Sequence, residues 1–317
     1  AHPTHPSEVV LQSQALKRSF VSFPLVLAAA ALLMPEAVTA QESLKIYISA
    51  DMEGVVGTVT GDQLGPSGFE YDRARRWMTE EVNAAIRGAR AAGATEIVVS
   101  DSHGNGQNLL LDELPEDITV IRSWPRPLAM MAGIDETFDG AIFIGYHTST
   151  DNSAGVRAHT MSSARLTSVK LNGVPVPETG INAAIAGHFG VPVIMLSGDD
   201  AIAAEASALL GDLETAVVKQ ALGFHSAATM MPEAAYRLIE ETAERAVRRI
   251  EDFEPWDVGG PVELEVSMKH YRPVEVLGYL EIVERIDSHT IRYRGSDIIA
   301  VSDFLIFLLN YDSNAMP

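Results

Sequence analysis

Three short polar clusters, each placed after an apolar run, hold residue types that bind divalent cations. Asp51 and Glu53 stand two apart in Ser49-Ala50-Asp51-Met52-Glu53-Gly54. On an extended backbone this spacing turns both carboxylates to one side, where an oxygen of each reaches a common ion. Asp101-Ser102-His103-Gly104 and Gly145-Tyr146-His147 follow two further apolar runs. Taken singly, each cluster reads as a solvated strand end, a helix cap or a satisfied core histidine. Two histidines and two carboxylates converging on one rim are different: imidazole and carboxylate ligands suit zinc, with manganese or cobalt as substitutes. The chain has no cysteine, so thiolate metal sites, thiol nucleophiles and a disulfide framework are excluded.

Further acids and one more histidine lie downstream. Glu178 follows Pro177 at an expected helix start, a position that capping and the helix dipole ordinarily explain. His159 lies on the long loop after His147. Asp199-Asp200 follows another apolar run, with Asp200 expected to cap the next helix; Asp101 and Asp199 are expected to support ligands rather than bind metal. Serine chemistry fits less well. Ser102 adjoins His103, but adjacent residues on an extended chain point apart, and no Gly-x-Ser-x-Gly elbow follows a strand. The Gly104-Asn105-Gly106 turn lacks the Lys-Ser/Thr ending of a phosphate-binding loop.

The elements that must position these residues alternate between two periods. Residues 44–50, 96–100, 139–145 and 191–197 are short and rich in β-branched and apolar types, as buried strands are. Residues 72–92 place Ala74, Met78, Val82, Ala85 and Ala89 at helical spacing before Gly93. This rhythm predicts an α/β fold with a largely parallel sheet and helices on both faces, whose carboxyl strand ends share one rim. Residues 166–176 read as a hairpin around Asn172-Gly173, and 178–189 as a small-residue helix. The second half is less regular: two short helices over 200–222, an amphipathic helix over 232–250, an acidic linker over 251–261, a strand over 262–267, a helix from Pro273, strands around 289–293 and an apolar helix over 297–309. We expect a metal-binding catalytic domain over 41–200 and a smaller α+β domain over 201–317 that contributes subunit contacts.

At 317 residues and 47% hydrophobic content the chain can bury a core unaided. Its formal charge of −20 repels phosphate backbones, so a nucleic-acid partner is not expected. Lys17 and Arg18 precede an apolar stretch over 20–34, then small residues up to Ala40. Residues 1–40 therefore read as an extension plus a secretory signal cleaved after Ala40, which predicts a periplasmic or secreted protein. The stretch is too short and too interrupted by Pro24 for a membrane span.

Six ordered motifs carry a resemblance: Ser49-Ala50-Asp51-Met52-Glu53-Gly54, Asp101-Ser102-His103, Gly145-Tyr146-His147, His159-Thr160-Met161, Glu178-x-Gly180-x-Asn182-Ala183 and Gly198-Asp199-Asp200. Together they resemble the zinc-dependent D-aminopeptidase family of the bacterial DppA type, over about residues 44–310. The resemblance implies that Asp51, Glu53, His103, His147 and Glu178 hold a pair of zinc ions and that His159 is catalytic. It also implies short peptides with N-terminal D-residues, such as D-Ala-D-Ala, as substrates, and a homo-oligomer, in the family a ring-stacked decamer with sites facing an internal channel. The segment from His147 to His159 is about one residue longer than in the typical member. A metal-dependent phosphoesterase and a periplasmic peptide-binding protein without catalysis are the alternative readings of the same residues.

Overall fold

The computed structural model describes residues 43–311, so the expected signal segment lies outside the described residues. In chain order the elements are β1 (Leu44–Ala50), α1 (Tyr71–Ala91), β2 (Ala94–Asp101), β3 (Thr119–Ile121), β4 (Gly140–Tyr146), β5 (Leu166–Leu171), β6 (Val174–Pro175) and α2 (Glu178–His188). They continue with β7 (Val193–Asp199), α3 (Asp200–Leu210), β8 (Glu214–Gly223), β9 (Ser226–Thr229), α4 (Pro232–Arg248), β10 (Val262–Met268), α5 (Tyr271–Leu277), β11 (Val283–Arg285), β12 (Thr290–Gly295) and α6 (Ile298–Asn310).

The first sheet runs β3-β2-β1-β4-β7-β8-β9, with every pair parallel except β8 and β9. A second, antiparallel sheet runs β11-β12-β10-β5-β6. The alternation of β1 explains the layering. Ile46 and Ile48 face α1 and α4, meeting Met78, Val82, Ile239 and Ala243 in one core cluster. Tyr47 faces the opposite way, into a cluster with Phe143, α2 and the second sheet. Helices therefore lie on both faces as expected, but one face is shared with a second sheet. α1 and α2 end where the sequence stops supporting them: Gly93 takes φ 109° after the first, and Gly190 takes φ 76° after the second.

Two local expectations are corrected. Residues 200–222 are not two helices: Gly211, at φ 85°, ends α3, and 214–223 form β8. Ala, Lys and Gln in that segment favour helix, but pairing with β7 and β9 supplies tertiary stabilisation that overrides the weak local preference. A three-residue edge strand, β3, to which the sequence pattern assigns no element, pairs with β2. Asp199 rather than Asp200 caps α3, its Oδ1 accepting the Ile202 N–H at 2.8 Å. Both sheets draw strands from each side of residue 200. β8 and β9 complete the first sheet, and β5 and β6 complete the second.

Candidate metal centre

Strand order reverses between β1 and β4: the chain builds outward from β1 to β2 and β3, then returns to the other side of β1. Such a switch point opens a crevice beyond the carboxyl ends of the strands. Asp51 and Glu53 leave β1 there, and His147 leaves β4. The two strand ends touch through backbone. The Gly54 N–H donates to the Gly145 carbonyl at 2.7 Å. A Cβ on Gly54 would lie 2.0 Å from the Tyr146 oxygen, and one on Gly145, at φ 72°, would lie 2.2 Å from the Asp51 oxygen. Glycine at these positions allows the acids and His147 to face one another.

Asp51, Glu53, His103, His147 and Glu178 are all buried and meet at this point. Their ligand atoms form triads, each with its atoms within 4.8 Å of one another: Asp51–Glu53–His103 and Asp51–His147–Glu178, which share Asp51, and a third, Glu53–His147–His159. His103 Nδ1 is 3.1 Å from Asp51 Oδ1 and 2.9 Å from Glu53 Oε2; His147 Nε2 is 3.2 Å from Asp51 Oδ2 and 3.6 Å from Glu178 Oε1. Despite these distances Asp51 Oδ2, Glu53 Oε2 and His147 Nε2 lack hydrogen-bond partners. His103 Nδ1 and Asp51 Oδ1 are within hydrogen-bond distance, while the three unpartnered atoms belong to triads that converge on a common centre.

The far side of each imidazole shows why. His103 Nε2 lies 2.8 Å from the Leu64 carbonyl, His147 Nδ1 3.1 Å from the Thr148 carbonyl, and His159 Nδ1 2.8 Å from the Arg157 carbonyl. A carbonyl only accepts, so each of these nitrogens carries the proton, and in the neutral ring the other nitrogen turns a lone pair toward the acids. Lone pairs facing carboxylates repel unless a cation lies between them, and a histidine held by a backbone carbonyl is the usual support of a metal ligand. The residues fit a divalent metal. The titration of the bare cluster carries the same demand for positive charge. Burial opposes charge on His103 and His147, yet Glu53, Glu178 and Asp51 hold both well above the ordinary imidazole range. Burial and the neighbouring Glu53 push Asp51 up; burial opposes ionisation of Glu53 and Glu178 too, but the imidazoles keep both low.

His159, half-buried, stacks on His147 with ring centroids 4.1 Å apart, and its Nε2 lies 3.8 Å from Glu178 Oε1. Its loop is pinned: His159 N–H donates to the Thr148 carbonyl, the Thr160 hydroxyl donates to the Val176 carbonyl, and Met161 N–H donates to Glu178 Oε1 at 2.6 Å. Asp101 and Asp199 make no hydrogen bond or ion pair with the cluster side chains among the described residues. Asp101 accepts the N–H groups of Asn108 and Leu109 and shapes the loop after β2, while Asp199 Oδ2 accepts Val156 N–H in the loop leading to His159.

Two features were invisible in the sequence. Lys219, fully buried on β8, donates to the carbonyls of Glu53, Val55 and Thr58 at 2.5, 3.0 and 2.6 Å. The loop bearing Glu53 is thereby anchored from the far half of the chain, and Glu81 of α1 accepts Val56 N–H on its other side at 2.8 Å. Beneath the cluster, hydroxyls link Ser102, Ser49 and Tyr146 to the Asn182 amide at 2.8 Å per step. No local periodicity marks either feature; only the fold brings these residues together.

An open α/β sheet with a buried acid and histidine cluster at its switch point, beneath a cavity of about 520 Å³, is the architecture of a metallohydrolase. The family model described as Peptidase M55, D-aminopeptidase, matches residues 44–307, and the chain belongs to that family. It is 32% identical over 257 residues to a D-aminopeptidase of Bacillus subtilis (strain 168), covering 81% of this chain and 93% of the relative. The solved structure of "Zn-dependent D-aminopeptidase DppA from Bacillus subtilis, a self-compartmentalizing protease" is similar with a TM-score of 0.80 at 31% identity, covering 85% of this chain and 99% of that one.

Proposed function

We propose that the protein is a zinc-dependent D-aminopeptidase that releases the N-terminal D-residue from short peptides such as D-Ala-D-Ala. The observation carrying this reading is the pair of ligand triads that share Asp51; the family and the Bacillus relatives support the metal and the handedness. We assign a pair of zinc ions to each subunit, one held by Asp51, Glu53 and His103, the other by Asp51, His147 and Glu178. Three carboxylates against two divalent cations leave about one positive charge on the site. When bound, zinc supplies a Lewis acid that polarises a carbonyl and acidifies water.

The chain's own groups bind and orient the peptide and move the proton. A free, uncharged substrate amine would be taken up where the cluster residues hold the metal, which favours cleavage at the amino end over internal cleavage. Trp124, Met130 and Met161 line the cavity and exclude water from the scissile bond. His159, its Nδ1–H fixed on the Arg157 carbonyl and its ring stacked on His147, presents Nε2 to the cluster. Protonated there, Nε2 donates to the leaving amine.

The Bacillus enzyme of known structure is a self-compartmentalizing protease, which supports an oligomer here as well, and we extend that to a decamer whose contacts come largely from residues 201–317. Tyr271, Tyr279, Ile282 and Phe307, exposed at one end of the second sheet, suit such contacts. Residues 1–40 are proposed to export the protein to the periplasm or beyond, on their sequence pattern alone.

The test is to quantify metal in the purified protein and compare rates on D-Ala-D-Ala, L-Ala-L-Ala and p-nitrophenyl phosphate. Bound zinc with a strong preference for the D,D-peptide is expected. Turnover of the ester without peptide cleavage would replace the assignment by a phosphoesterase, and peptide binding without turnover by a binding protein.

A further inference from the structure

The cavity that holds three carboxylates at its base carries the opposite charge on its wall. Arg157 and Arg165 line it together with Asp51, Glu53 and Glu178. In a chain of formal charge −20 the summed field opposes anions, so an anionic group entering this cavity needs local cations.

Arg157 is held in place but under-used. Its backbone sits at φ 56°, its N–H donates to the Phe224 carbonyl at 3.0 Å, and its own carbonyl accepts His159 Nδ1–H at 2.8 Å. The guanidinium lies over the Phe224 ring, 5.0 Å from the centroid. Nη1 makes one long contact, 3.4 Å to His225 Nδ1, and Nε has no partner. No carboxylate pairs with it among the described residues. A planar fork with five donors, stacked on an aromatic face and left without an anion, is pre-organised for a carboxylate. Arg165 stands nearby with Nη1 on the Leu309 carbonyl at 2.6 Å and adds positive potential to the same cavity.

A short peptide is a zwitterion, with an ammonium at one end and a carboxylate at the other. The cavity holds the metal-binding cluster at its base and Arg157 on its wall, and its volume of about 520 Å³ suits a few residues. We propose that Arg157 binds the C-terminal carboxylate of a short peptide whose amino end lies at the acid cluster. This rests on the aminopeptidase reading and deepens it: the enzyme selects peptides that end in a free acid close behind the scissile bond, and Arg157 is the residue that reads that end.

The experiment compares kcat/KM for D-Ala-D-Ala and its C-terminal amide in the wild type, Arg157→Gln and Arg157→Lys. The acid-to-amide ratio is internal to each preparation, so partial misfolding of a variant does not move it. The wild type is expected to favour the acid at least about tenfold, chiefly through KM, the range of a charge-assisted hydrogen bond. The ratio should fall to near one in Arg157→Gln and to an intermediate value in Arg157→Lys. A wild type that treats acid and amide alike, or an Arg157→Gln ratio equal to the wild type's, overturns the proposal. D-Ala-D-Glu α-amide, with its carboxylate only on the side chain, distinguishes the other source of the same chemistry. If it is cleaved as well as D-Ala-D-Ala, with the same dependence on Arg157, the C-terminal assignment is overturned. D-Ala p-nitroanilide reports on the underlying reading: turnover there with no acid preference sinks only the carboxylate site, whereas no turnover of any D-alanyl compound sinks the aminopeptidase.

Discussion

The two oxygens of Asp51 face different histidines, Oδ1 toward His103 and Oδ2 toward His147, whereas Glu178 belongs to one of the two triads that share Asp51. Asp51→Ala is therefore expected to lose nearly all bound zinc, and Glu178→Ala to retain about half, as read by plasma mass spectrometry of the purified variants. His159 differs again, because its Nδ1 is occupied by a carbonyl and its Nε2 stands 3.8 Å from the nearest cluster oxygen. His159→Ala should keep its metal while turnover falls about 10²–10⁴-fold; metal loss in that variant would make His159 a ligand. At this scale the sequence was informative where residues sit at strand ends, since a parallel sheet sends every such end to one rim. It was silent on Lys219 and on the charge partner missing from Arg157, because a side chain that acts from a distant strand leaves no mark on its neighbours in sequence.

Among elements, the contact between the ends of β1 and β4 is the most sensitive junction. Gly145→Ala combines a positive φ with a Cβ driven against the Asp51 carbonyl, so a loss of several kcal/mol is expected in urea unfolding. Gly104→Ala is the control. It also has positive φ but meets nothing within 4 Å, and should cost only about 1–2 kcal/mol. The loop after β1 provides a pH test. Burial raises Glu81 from 4.5 to about 8, against the Val56 N–H and the Lys219 ammonium, which favour its charged form. Between those values the folded state holds a proton that the unfolded chain has released, so Glu81's contribution is fully present below about pH 4.5 and is lost as pH rises toward about 8. Glu81→Gln should flatten that part of the stability profile in thermal melts from pH 5 to 9; an unchanged slope would mean that Glu81 is ionised in the fold. β1, β4 and the Asn172-Gly173 hairpin were legible because period and turn chemistry agree with the tertiary structure. β8 was not, because its helix-favouring residues are held extended by strands on both sides.

For the whole molecule, the cluster is a concentration of buried negative charge that the rest of the fold must tolerate. Chelation of metal should lower Tm, and added zinc should restore it, because an ion that binds only the folded state stabilises it by mass action; a Tm insensitive to chelator would argue against the cation. Both sheets draw strands from each side of residue 200. That interleaving bears on biosynthesis. A nascent chain that has left the ribosome through α2 already displays every acid and imidazole of the centre, yet it lacks β8 and the ammonium that grips the carbonyls of Glu53, Val55 and Thr58. A chain that emerges from its amino end thus delivers the ligands early and their clamp late.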